Sequence, residues 1–176
     1  MFTSSSRALD SALLRFVPPE SVSSVDAQAY GRGLAAGTYR REWSWLALLD
    51  GAVVARGVWW GPVGSVHPVE LRCLAVDATV PHPEVWGAAL IRCAHREFAE
   101  AGAILAPDLV VEVDSTRRTE PDVVAALAWR QEAARQAGLP VVTETVVESA
   151  ASPLARVTFS ARPLVAPAAA AQPALR

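Results

Sequence analysis

Asp50-Gly51 sits between two apolar runs, WSWLALL at 43–49 and AVVARGVWW at 52–60. Asp-Gly is favoured in two-residue turns whose positive φ angles match the twist of an antiparallel strand pair. The stretch 43–60 is therefore predicted to be a β-hairpin. Its strands do not alternate cleanly between apolar and polar residues, so both faces of the hairpin are expected to be covered.

The remaining patterns supply the cover. Residues 1–8 read as a frayed terminus, and ALLRFV at 12–17, stopped by Pro18-Pro19, reads as a first strand. Residues 24–43 offer Ser24 as a cap, followed by a helical run that Gly31, Gly33 and Gly37 weaken. Residues 67–77 read as a further strand. At 83–102 the pattern switches to helical period, with Trp86, Leu90, Cys93, Ala94, Phe98 and Ala101 on one stripe and Gly102 as the stop. DLVVEVD at 108–114 is a continuous β-branched run of the kind found in a buried central strand. A second helix is expected over 119–138, with Thr119 as its cap and Pro121 in its first turn, and strands over 140–149 and 154–163. The order implies a mixed, mostly antiparallel sheet of about six to seven strands flanked by helices, in one domain spanning 1–163. Residues 164–176, rich in Ala and Pro, read as a disordered tail.

Composition limits the function. With 176 residues and 52% hydrophobic content, one core of useful size is expected. The net charge is −2, and the arginine pairs at 40–41 and 117–118 are short and flanked by acids, which argues against nucleic acid. No apolar run approaches the length of a membrane span, and the interrupted N-terminal stretch does not read as a signal peptide, so a cytoplasmic location is expected. Cys73 and Cys93 read as reduced thiols, with a disulfide left open. His67, His82 and His95 share no zinc spacing with them, so no metal is expected.

Four stretches resemble one family. REWSWLALLDGAVVARGVWWGP, PVELRCLAVD, WGAALIRCAHREFAEAG and the run from VVEVDSTRRTEP to VVTETVV are similar to successive elements of the GNAT-type N-acetyltransferases. The resemblance covers roughly residues 10 to 163 and leans toward a divergent, actinobacterial-looking group. It implies the acyl-CoA N-acyltransferase-like fold, acetyl-CoA as co-substrate and a small-molecule or peptide amine as acceptor. A strand that feeds a helix presents free N–H groups and a positive dipole end, which suit a pyrophosphate. The family's Gln/Arg-x-x-Gly-x-Gly/Ala loop places His82 at its first position, Val85 at its first glycine and Gly87 at its last. Trp86 and Ala88 fall in the same stretch. Asp77 and Glu84 add negative charge there.

The resemblance also assigns chemistry. Acetyl transfer needs a base for the amine, a donor for the thioester oxygen and a proton for the leaving thiolate. Glu70 matches the family's acid on the fourth strand, although pairing with Arg72 is the plainer reading. The backbone of Leu74, Ala75 and Val76 matches the segment that holds the pantetheine arm. The family's tyrosine, four residues before Gly138, is Ala134 here. Where an asparagine often precedes that helix, this chain has Asp114, Ser115 and Thr116, of which Ser115 is the candidate cofactor contact. The missing glycine, tyrosine and asparagine favour a second reading: a degenerate GNAT-like domain, or half of a tandem protein, that binds or packs without turnover. Exposed terminal strands leave edges that a homodimer would cover.

Overall fold

Asp50 and Gly51 adopt positive φ angles of 50° and 80°, the geometry a two-residue hairpin turn requires. They join β2 (Tyr39–Leu49) to β3 (Ala52–Trp60) in a computed structural model that describes residues 1–6, 9–16, 21–147 and 153–161. The other elements are β1 (Phe2–Ser4), α1 (Asp10–Arg15), α2 (Ala27–Ala36), β4 (Glu70–Val76), α3 (Pro83–Glu100), β5 (Asp108–Asp114), α4 (Pro121–Gln136), β6 (Val141–Val147) and β7 (Leu154–Ser160). The Ala/Pro-rich segment at 164–176 lies outside the described residues.

The strands form one seven-stranded sheet in the order β1-β2-β3-β4-β5-β7-β6. Among the described residues only β4 and β5 pair in parallel, and α3 lies in the connection between them, as a crossover between parallel strands requires. Both faces are covered, as the hairpin pattern implies. Leu13, Tyr30, Leu46, Val58, Cys73 and Ala75 form the buried cluster beneath α1 and α2. Trp45, Trp59, Leu74, Leu90, Phe98 and Ala133 belong to the larger cluster beneath α3 and α4.

Four expectations are corrected. Residues 10–15 form a helix that buries Leu13, not a strand, because the short apolar run has one face to bury. The terminus is not frayed: Phe2, Thr3 and Ser4 pair with Ala47, Leu46 and Trp45. Asp26, not Ser24, caps α2 by accepting from the Ala29 amide at 2.7 Å, and α4 starts at Glu120 without a side-chain cap. Cys73 and Cys93 are free thiols.

Candidate functional site

β4 and β5 are paired only at Glu70–Asp108 and Leu71–Leu109. Beyond those residues the ladder stops and the sheet opens at the C-terminal ends of two parallel strands. That opening is where an α/β sheet ordinarily receives a ligand. It is also where the family resemblance puts the pantetheine arm.

The opening is filled by the protein itself. Arg130 on α4 is 2% exposed. Its Nη2 and Nε donate to the Leu74 carbonyl at 2.8 and 3.2 Å, and its Nη1 donates to the Ala126 carbonyl at 2.9 Å. The guanidinium also lies 4.1 Å from the centre of the Trp129 ring. On the other side of the gap, the Ser23 amide donates to the Glu112 carbonyl at 2.9 Å, taking the backbone place that β4 has left beside β5. Val22, 8% exposed, belongs to the same apolar cluster as Leu74, Val113 and Val123. The Ser21 hydroxyl donates to Asp122 at 2.6 Å and fastens this strap to the start of α4. The space left between Ser23, Arg72, Val110 and Glu112 is about 30 Å³, room for a couple of waters.

Outside this closure lies a cleft of about 280 Å³, lined by Val76, Asp77, Pro83, Asp122 and Trp129 among others, with no basic residue among the described residues of its lining. Two carboxylates face it. Asp77 is held below the usual carboxylate range by the amide and hydroxyl of Thr79, and Asp122 chiefly by the Ser21 hydroxyl. Both stay ionised at neutral pH; Asp122 is also paired with Arg117 at 3.3 Å, which leaves Asp77 as the carboxylate that most directly opposes a pyrophosphate.

The start of α3 does not form an open cup of amides. His82 caps it in a left-handed conformation (φ 58°) without a side-chain cap bond, and its ring lies 3.2 Å from Glu84. Pro83 has no N–H, and the amides of Val85 and Trp86 donate to the His82 carbonyl at 2.9 and 3.4 Å. Val85 is 49% exposed, and Trp86 packs 6.3 Å from Phe2. Gly87 and Ala88 lie buried one turn further in. A Cβ on Gly87 would come within 3.1 Å of the Ala133 Cβ and 3.3 Å of Leu74 and Trp129. The geometry therefore gives Gly87 a packing role, letting α3 and α4 approach closely.

The other sequence candidates are engaged elsewhere. Glu70 pairs with Arg72 and with Arg156, both at 2.7 Å, and stands beside Asp108, whose carboxyl is pushed up mainly by burial. Ala75 and Val76 pair with Arg56 and Ala55 of β3. The Ser115 hydroxyl donates to the Pro153 carbonyl at 2.8 Å. Tyr30 on the inner face of α2 and Tyr39 at the start of β2 are buried against each other, and burial raises both phenol pKa values. Sequence reasoning missed Arg130 and Val22. The available signal was an arginine on a helix stripe whose other buried members are Val123, Leu127, Ala133 and Ala134.

Among the described residues, no group of three or more His, Cys, Asp or Glu side chains could hold a metal ion, and no helix is long and apolar enough to cross a membrane. No family profile and no curated protein matches the chain. Solved structures do. An aminoglycoside 6'-acetyltransferase type Ii superposes with a TM-score of 0.54 at 14% identity, over 91% of this chain and 96% of the other. A GNAT-family acetyltransferase from Streptococcus pneumoniae gives 0.53 at 10% identity, over 92% and 98%. An aminoglycoside 6'-N-acetyltransferase from Enterococcus faecium gives 0.51 at 14%, over 91% and 96%. None of these bears on an actinobacterial origin. They establish that the chain has the fold of the GNAT acetyltransferases.

Proposed function

We propose that this chain is a GNAT-fold domain whose acyl-CoA slot is closed by its own residues, and that it acts by binding through its surfaces rather than by acetyl transfer. The observation that carries this reading is the buried Arg130 fork on the Leu74 carbonyl. A pantetheine amide using that carbonyl would have to displace two charge-assisted hydrogen bonds, each worth about 1.5–3 kcal/mol. It would also have to expel Val22, while the pyrophosphate met Asp77. Thermal unfolding with acetyl-CoA tests the reading. A ligand at a hundred times its dissociation constant stabilises by about 2.7 kcal/mol. The closed slot gives no shift at millimolar acetyl-CoA.

One observation favours a second reading. The sheet does part beyond Leu71 and Leu109, and an open cleft adjoins the gap. In that reading the protein is an N-acetyltransferase with acetyl-CoA as co-substrate and a small-molecule or peptide amine as acceptor, the class to which aminoglycosides belong. Glu70 would serve as base once released from its arginines. Leu74, Ala75 and Val76 would hold the pantetheine. His82, Val85, Trp86, Gly87, Ala88 and Ser115 would surround the rest of the cofactor. It requires Arg130 to leave Leu74. A thermal shift with acetyl-CoA, followed by thiol release on an amine panel, selects it. The two free thiols fit a reduced, cytoplasmic setting in either reading.

A further inference from the structure

β6 is the last strand of the sheet. β7 pairs along one edge of it in unbroken register, Val141–Ser160 through Val147–Leu154, and among the described residues no strand pairs along the other edge. Six of its seven residues are exposed, with Val142, Val146 and Val147 at 45%, 66% and 43%. Natural edge strands are blunted by proline, lysine, inward charge or a bulge. β6 has none of these, and Glu144 is its one charged residue.

Its sequence is VVTETVV, which reads the same in both directions about Glu144. A two-fold interface demands that residue i meet j while j meets i. Antiparallel pairing of two β6 edges about Glu144 satisfies this at every position: Val141 with Val147, Val142 with Val146, Thr143 with Thr145. Each apolar β-branched side chain meets another, and each hydroxyl meets a hydroxyl, the pairs that stabilise sheets. A partner of unrelated sequence would not account for the symmetry.

Glu144 would meet its own copy across the axis, and like charges directly opposed destabilise a sheet. Arg118 answers this. Its Nε and Nη2 lie 3.3 and 3.2 Å from the two Glu144 carboxylate oxygens. Two carboxylates and two guanidiniums at the axis sum to zero charge. On the same face, Val142 lines a recess of about 270 Å³ formed with Ala128, Glu132, Leu139 and Pro140. Val146 of the second copy, opposite Val142, falls at its rim.

We propose that the outer edge of β6 is a self-recognition surface, on which a second copy of this chain pairs antiparallel about a two-fold axis through Glu144. The surface lies beyond β5 and β7 from the gap beside β4, so the proposal stands whether or not that gap admits acetyl-CoA.

Sedimentation of the full chain from micromolar to millimolar concentration reads the assembly, and single cysteines read the register. The chain has no lysine, which rules out amine cross-linkers on side chains. At the axis, Glu144→Cys brings two thiols onto Cα atoms about 4.5–5.5 Å apart, within disulfide range. Val142→Cys leaves its two copies four residues out of step, roughly 13 Å apart. The proposal expects a concentration-dependent dimer, a linked dimer from Glu144→Cys under mild oxidation well above the Val142→Cys and unmodified controls, and a folded monomer from Val142→Lys/Val146→Lys. A monomer at every concentration overturns it. So does a dimer that survives the double lysine change, or one in which the two cysteine variants link equally.

Discussion

Replacing Arg130 with methionine keeps most of the side-chain volume and removes the fork. Leu74 is 3% exposed, so its carbonyl loses both donors with no water to replace them. An unsatisfied buried acceptor costs about 1–3 kcal/mol. Loss of the stacking on Trp129 adds roughly 0.5–1 kcal/mol. Removing a buried charge offsets part of this, because the guanidinium no longer has to be kept out of water. The net expectation is a destabilisation of about 2 kcal/mol. For a domain of this length that lowers Tm by roughly 4–8 °C. Urea unfolding followed by tryptophan fluorescence measures the change, with an unchanged m-value showing that the folded state is otherwise intact. Arg130→Lys, which keeps the charge and loses the fork geometry, falls between the two. A methionine variant as stable as the parent, or more stable, would refute the view that this side chain holds the gap between β4 and β5 shut.

Other expectations follow from the same packing. Gly87→Ala gains up to about 1 kcal/mol in helix propensity but forces a methyl within 3.1 Å of Ala133, where overpacking costs about 1–3 kcal/mol, so chemical denaturation should show net loss. His95 is largely covered by Trp59 and Phe98, and its burial depresses its pKa to about 4. The unfolded state therefore binds the proton more readily: this contribution is full above pH 6.5 and is lost as pH falls toward 4, by roughly 3 kcal/mol. His95→Phe should flatten that part of the stability–pH curve. Glu70→Gln breaks two half-buried ion pairs, with Arg72 and Arg156, and should cost about 1 kcal/mol in urea unfolding; a lost acetylation rate at unchanged stability would instead favour the catalytic reading.

What the sequence made legible was local. The Asp50-Gly51 turn, the β-branched run of β5 and the helical stripe of α3 are each specified by residues close together in the chain, and each lies where its pattern puts it. The three-residue β1 was not legible, because it is a strand only by virtue of the exposed edge of β2. The helix at 10–15 was misread because a short apolar run carries no period long enough to separate helix from strand. The site was half legible. That a strand and helix would meet at residues 70–90 followed from the pattern. That the gap beside them would be closed did not, since Arg130 reaches a carbonyl 56 residues away and Val22 arrives from a segment before α2.

Crystals grown in the presence of acetyl-CoA measure the matter most directly. The account predicts density for the Arg130 guanidinium on the Leu74 oxygen and for Val22 in the core, with no ligand between β4 and β5. A pantetheine arm lying in that gap, with Arg130 swung away, would contradict it.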